Sequence, residues 1–385
     1  MNTKRVAFII FSDPMIFPPT MNAASILAKK GIQVDIYGLH YNTGDYIKPA
    51  KGVNIKYCGS LRKGLKFRMD FIIFCFRMIF FTKKTNYAWI FSYNMTGVLP
   101  GFLAAKFSGA KWLYHNHDLT PVTKTWSFYG LLKYVERWAS RRADLVVFPQ
   151  KMRAELFSKE ARLNVFPLIV GNGPCKEWID VDGYDEDVVR LKKDCGLIVI
   201  YQGGLNWMRG LHKVIASMPY WDKPAGLLLV GGTELQPSFP NEALSLAQEV
   251  GVERRLLIRP TEPYLELPKL TKLCDIGLGV MATDLDDSCT NIKYLAGASN
   301  KLSEYMACGL PVVVPNSEEY RELISAKKVG VLTNNNSPLE VAKGINTLLN
   351  SDKVRGNMSK RALDYFNDEL NYESQFQVVL EKILN

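Results

Sequence analysis

Continuous apolar runs, rather than alternating ones, mark the strands of this chain. Arg5 to Phe11 (RVAFIIF), Gln33 to Gly38 (QVDIYG), Tyr87 to Tyr93 (YAWIFSY), Asp144 to Phe148 (DLVVF), Leu197 to Gln202 (LIVIYQ), Ala225 to Val230 (AGLLLV) and Leu310 to Val314 (LPVVV) all read this way. Parallel strands covered on both faces have this composition. Shorter runs at Lys111 to Tyr114, Val165 to Ile169, Arg255 to Arg259 and Asp275 to Met281 fit the same role. Helical stretches lie between them: Asn22 to Lys30 closed by Gly31, Leu99 to Phe107, Tyr129 to Ala143, Lys151 to Glu160, one from Leu211, and Asn241 to Val250. Ser337, Pro338 and Glu340 form a capping box with proline at the first helical position. Strand and helix in alternation predict α/β domains built on parallel sheets.

One interruption divides the pattern. Gly171 to Gly173 (GNG), Pro174 and an acidic stretch to Asp194 read as a linker, after which the alternation restarts at Leu197. At 385 residues the chain exceeds one typical core. The expected division is a first domain over 1–172, a linker over 173–195, a second domain over 196–365, and a C-terminal helix over 366–385 packing back on the first domain.

Charge separates the halves further. Residues 1–170 hold 25 Lys and Arg against 9 Asp and Glu, a charge of +16, and the remainder holds 23 against 29, or −6. A basic first half points to an anionic partner: nucleic acid, an acidic membrane surface or phosphorylated substrates. Leu61 to Lys84 (LRKGLKFRMDFIIFCFRMIFFTKK) concentrates that charge around bulky apolar residues. Its apolar core, Phe71 to Phe81, is about half of the roughly twenty residues that span a bilayer. It reads either as a helix lying on an anionic leaflet or as a domain helix with solvated lysines. Seven scattered cysteines without a CxxC pair predict free thiols and no zinc site. The apolar run after Lys4 and Arg5 ends at Phe11 without a cleavage site, so a cytoplasmic protein is expected.

Candidate chemistry gathers in three places. In SNKLSEYMACGLPVVVP (299–315) a helix capped by Ser299 or Asn300 and ended by Gly309 presents unpaired N–H groups and Lys301 to a ligand, with Glu304 one turn in. That arrangement suits a phosphate and ribose hydroxyls. GGLNWMRG (203–210) pairs glycines that allow close backbone approach with Arg209, which forks onto phosphate oxygens. HNHDL (115–119) places two of the four histidines at a strand exit, where α/β folds bind ligands. Two DxD sequences, at 180–182 and 284–286, read as solvated carboxylates. The loop after the first strand lacks GxGxxG, and no Walker loop, HExxH or serine elbow is present.

Taken in order, YHNHDL, ADLVVFPQ, GNG, GGLNWMRGL and SNKLSEYMACGLPVVVP resemble the retaining, nucleotide-sugar-dependent glycosyltransferases of the family-4 type. The last is similar to that family's (S/P)NK-x-x-EY-x-A-x-G-x-PVV signature. The resemblance implies the GT-B fold, two Rossmann-like doubly wound domains facing an inter-domain cleft. It implies that Glu304 binds the donor ribose, that Arg209 and Lys301 meet the diphosphate, and that His117 lies near the transferred sugar. Three positions depart from the family: Ala296 stands where a second Glu is common, Gly204 replaces an Arg, and Ser12 to Pro18 replaces a glycine-rich loop. Asn291, Ser299 and Asn300 are then the expected substitutes, with Gly203 and Gly204 beside the donor.

The implied reaction needs a nucleotide diphosphate sugar as co-substrate, a saccharide or lipid-linked acceptor, no cofactor and no metal. An anionic membrane surface, the inner face of the plasma membrane, is the expected location, and nucleic acid is not an expected partner. A nucleotide-sugar epimerase of the same fold and a non-catalytic nucleotide-sugar binding protein are the alternatives.

Overall fold

The computed structural model describes residues 4–41, 49–60, 62, 64–120, 126–282, 295 and 297–384. Contacts divide the chain into two units, one of residues 1–172, 286–298 and 372–385, the other of 173–285 and 299–371.

The first unit is built on seven parallel strands, β1 (Arg5–Ile10), β2 (Gln33–His40), β3 (Val53–Ser60), β4 (Trp89–Tyr93), β5 (Lys111–His115), β6 (Leu145–Phe148) and β7 (Leu168–Ile169), in the order β3-β2-β1-β4-β5-β6-β7. The second has six, β8 (Leu197–Gln202), β9 (Ala225–Val230), β10 (Leu256–Arg259), β11 (Ile276–Leu278), β12 (Val312–Pro315) and β13 (Gly330–Thr333), in the order β10-β9-β8-β11-β12-β13. Both sheets reverse direction of travel once, between β1 and β4 and between β8 and β11. Ligands of open parallel sheets bind outside the strand ends at such switch points. The expected α/β architecture, two Rossmann-like domains, is the one the chain adopts.

The apolar runs are central because they are covered on both faces. Phe8 and Ile9 of β1, Ile90 and Phe91 of β4 and Leu227 to Leu229 of β9 are fully buried. Each such side chain contributes about 2 kcal/mol by leaving water. Edge strands escape that pattern. β3 is mostly exposed, with only Val53 and Cys58 buried and with Asn54 and Lys56 reaching Asp35 of β2, and β13 is a four-residue edge strand. Neither has the apolar run that marks the central strands. β7 pairs over only two residues because Pro167 interrupts the run and lacks an N–H to donate.

Two boundaries differ from expectation for identifiable reasons. The acidic stretch read as linker groups with the second unit and contains a helix, Glu186–Cys195. Asp185 caps it by accepting from Asp187 and Val188 N–H, and Glu186 and Asp187 sit at its positive end. Its Leu191 packs so closely on β9 that a Cβ at Gly226 would lie 2.7 Å from Leu191 Cγ. At the C-terminus the expected helix over 366–385 breaks at Asn371, whose amide donates to Phe366 and Asn367 carbonyls. Phe366–Leu370 stays with the second unit, and helix Tyr372–Leu384 joins the first. There Gln375 Oε1 accepts from Gly171 N–H at 2.9 Å and Lys4 Nζ donates to Leu384 O at 3.2 Å.

Candidate functional site

The second unit gathers its polar groups at the β8/β11 switch point. Helix Asn300–Ala307 starts at Ser299 and ends with Gly309 in the left-handed region at φ +71°, so Leu310 N–H reaches back to Tyr305 O and the chain turns directly into β12. Ser299 holds the cap position, yet its hydroxyl makes no cap bond. Both Ser299 Oγ and Asn300 Oδ1 are buried with no partner among the described residues. The Ser299 hydroxyl, a donor left without an acceptor at a helix N-terminus, suits an anion, whereas Asn300 Oδ1 is an acceptor that calls for a donor.

Two cations converge on the same place. Lys301 Nζ lies 5.1 Å from the centroid of the buried Tyr201 ring, at the end of β8. Burial pushes the Lys301 ammonium down to about 8, and the positive charge of Arg209 pushes in the same direction while Glu304 opposes. Burial raises Tyr201 to about 12, and Arg209 opposes that rise. Arg209 Nε is itself buried without a partner among the described residues. Two cations held near each other, with a guanidinium nitrogen left unpaired, are stabilised by an incoming anion.

Glycines set the spacing. Gly203 has φ +127°, and a Cβ there would lie 3.1 Å from Lys301 Cε and Nζ. A Cβ on Gly231, at φ +154°, would lie 1.8 Å from Gly203 O. Gly204 follows, its carbonyl accepting from Tyr201 Oη at 3.4 Å. Gly231→Ala is therefore expected to destabilise the protein by roughly 3 kcal/mol or more, because backbone meets backbone where neither side has a free end. A melting temperature within a degree or two of wild type would show that this junction relaxes.

Glu304 is buried, 5% exposed, and burial raises its carboxyl to about 7, with Gln202 and Lys301 pulling the other way. Gln202, the last residue of β8, donates from Nε2 to Glu304 Oε2, accepts at Oε1 from Thr271 Oγ1 at 3.1 Å, and gives its backbone N–H to Tyr305 Oη at 2.8 Å. These bonds fix the orientation of its amide, and the amide orients the carboxylate. Tyr201, Gln202 and Thr271 are neighbours of the candidate residues that the motifs did not single out. The available signal was Gln202 itself, a polar residue closing an apolar strand just before two glycines.

The first unit carries a separate polar cluster at the ends of β4 and β5. The His117 ring stacks on Tyr93 at 5.3 Å and 9° and lies 4.4 Å from the His115 ring. Thr20 Oγ1 lies 3.2 Å from His117 Nε2, and Asn94 Oδ1 accepts its backbone N–H at 2.9 Å. Burial holds His117 down to about 3 and His115 well below the usual histidine value. Both rings are neutral at neutral pH, so His117 is suited to a hydrogen bond with a hydroxyl rather than to storing a proton. His117 Nδ1, His115 Nε2 and Tyr93 Oη are buried without partners among the described residues.

Of the expected site residues, Gly203, Gly204, Arg209, Ser299, Asn300, Lys301 and Glu304 all belong to the second unit, and His117 belongs to the first. Asn291, Ala296 and the second DxD lie outside the described residues. Asp180 and Asp182 are exposed. Among the described residues, no helix is long and apolar enough to cross a membrane.

Residues 185–364 match the family model for glycosyl transferases group 1. The chain is 23% identical over 376 residues to a D-inositol 3-phosphate glycosyltransferase of Corynebacterium glutamicum (strain R), covering 90% of this chain and 85% of that one. The crystal structure of Anabaena HepE in complex with UDP and glucose superposes with a TM-score of 0.72 at 16% identity, covering 99% of each chain. A glycosyltransferase from Rickettsia africae ESF-5 superposes with a TM-score of 0.76 at 14% identity, covering 100% of each. The polar groups gathered at the β8/β11 switch point fall inside the segment that matches the glycosyl transferases group 1 model, and the superpositions show that the chain has the GT-B fold.

Proposed function

We propose that the chain transfers a sugar from a nucleotide diphosphate sugar to a saccharide or lipid-linked acceptor, with retention of configuration and without an essential metal. The observation that carries this is the pair of buried, partnerless donors around one helix N-terminus, Arg209 Nε and the Ser299 hydroxyl, with Lys301 beside them. A diphosphate supplies both the acceptors and the negative charge they lack. Glu304 then accepts from the ribose hydroxyls, held in place by Gln202.

In the proposed reaction the bond from the anomeric carbon to the diphosphate oxygen breaks. The acceptor hydroxyl bonds to that carbon from the same face, and its proton passes to the departing phosphate oxygen. No enzyme nucleophile is needed, so the work is positioning plus stabilisation of charge on the leaving group. Arg209, Lys301 and the helix N-terminus perform the second task. The neutral His117, with Tyr93 beside it, supplies a hydrogen bond to a sugar hydroxyl. The basic first half holds the acceptor side against an anionic membrane at its cytoplasmic face.

The test begins with donor. UDP-glucose, bound by Anabaena HepE in another crystal structure, is the first candidate, followed by other nucleotide sugars. A matching donor raises the melting temperature because it binds only the folded protein. Incubation with acceptor and chelator is expected to give a glycoside of the donor's anomeric configuration. Isomerised sugar formed without acceptor would make the chain an epimerase, and donor binding without turnover would make it a binding protein.

A further inference from the structure

Helix Leu65–Lys83 of the first unit has two apolar faces. Phe71, Phe74, Cys75, Met78 and Thr82 are buried against the unit. Leu65, Met69, Ile72, Ile73, Phe76 and Phe80 are exposed, from 72% for Leu65 and 69% for Phe76 down to 44% for Ile73. At 3.6 residues per turn these six positions fall within about 100° of one another, on the side opposite the buried set. A helix apolar on all sides belongs in an interior, and a continuous exposed apolar stripe on a folded chain marks a contact surface.

Charge says what meets it. Lys66 and Arg68 flank the stripe at one end and Lys83 and Lys84 at the other, with the Lys84 ammonium 3.9 Å from the centroid of the Phe80 ring. The single acid of the helix, Asp70, is taken by Arg62 through two hydrogen bonds. Next to the N-terminal end, Tyr129 lies 6.0 Å from Phe67 and is itself about half exposed. A cation-flanked apolar stripe with amphipathic aromatics at its end matches the boundary between acyl chains and anionic headgroups.

We infer that the outer face of Leu65–Lys83 lies in the surface of an anionic membrane, with Ile72, Phe76 and Phe80 inserted below the headgroups and Lys66, Arg68, Lys83 and Lys84 at phosphate level. The inference rests on the membrane half of the proposed function, naming the surface that half requires, and is independent of the transfer chemistry. The helix lies along the interface and does not cross it.

The experiment is co-sedimentation with vesicles of phosphatidylcholine plus phosphatidylglycerol, against phosphatidylcholine alone. The wild-type chain is expected to pellet with the anionic vesicles only, less so as salt is raised. Ile72→Ser/Phe76→Ser/Phe80→Ser is expected to stay in the supernatant with its melting temperature and donor-induced thermal shift unchanged, since all three side chains point outward. Each cation contributes about fivefold to partitioning on an anionic surface, so replacing all four with glutamine lowers it by roughly several hundredfold. Equal pelleting by wild type and the serine variant overturns the inference, as does no pelleting at all. A concentration-dependent dimer that the serine variant abolishes also overturns it, by assigning the stripe to a second copy of the chain. Transfer to a water-soluble acceptor, assayed without vesicles, reports separately on the reaction.

Discussion

Arg209→Ala is expected to lower turnover about 10²- to 10³-fold, the usual cost of losing one preorganised donor to a developing oxyanion. Its guanidinium approaches Lys301 closely enough to depress the ammonium, and its Nε is buried without a partner among the described residues. The backbone at this residue is held independently of the side chain, because Arg209 O accepts from Met281 N–H at 3.0 Å and Gly210, at φ +76°, turns away from it. The variant should therefore fold, and its apparent melting temperature should rise rather than fall, since one of two mutually repelling cations is gone. Lys301 should correspondingly become harder to deprotonate. Steady-state kinetics with saturating donor, alongside a thermal scan without donor, checks both halves. Wild-type turnover in the variant would remove Arg209 from the reaction.

Glu304→Ala is expected to raise the donor dissociation constant about tenfold to a hundredfold, because charge-assisted bonds from ribose hydroxyls are lost and Gln202 Nε2 is left without its acceptor. The conservative variant Glu304→Gln separates charge from shape. The Glu304 carboxyl titrates near 7 in the folded chain, against an ordinary value of 4.5. Below 4.5 the group is neutral in both folded and unfolded states and has no effect. As pH rises from there to about 7, the unfolded chain gives up this proton first. Wild type thus loses about 3 kcal/mol of stability relative to Glu304→Gln across that window, and none beyond it. Donor binding runs the other way, since the ionised carboxylate is the form that accepts ribose hydroxyls. Wild-type affinity should be about tenfold weaker at pH 6 than above pH 7. It should begin to fall again above about 8, where Lys301 loses its proton. Glu304→Gln should lack the lower limb and keep the upper one. An affinity that is flat with pH in wild type would separate Glu304 from the ribose.

The central strands and helix Asn300–Ala307 are legible because both are local. β1, β8 and β9 announce themselves as unbroken apolar runs, and helix Asn300–Ala307 lies between a polar cap and a glycine that takes a positive φ. Helix Glu186–Cys195 is hidden in the sequence because its acidic cap and first turn have the composition of a solvated linker. β3 and β13 leave no such mark because edge strands need no apolar run.

Spacing and composition along the chain were enough for the α/β fold class, the two-part division, the candidacy of Arg209, Lys301 and Glu304, and the basic character of the first half. Long-range packing is what sets Gln202 and Thr271 against Glu304, fits Gly231 against Gly203, buries a neutral His117 and leaves a second apolar face of Leu65–Lys83 outward. Those facts depend on which residues, separated by tens of positions, share one low-dielectric space, and hydrophobic period along a chain carries no information about that.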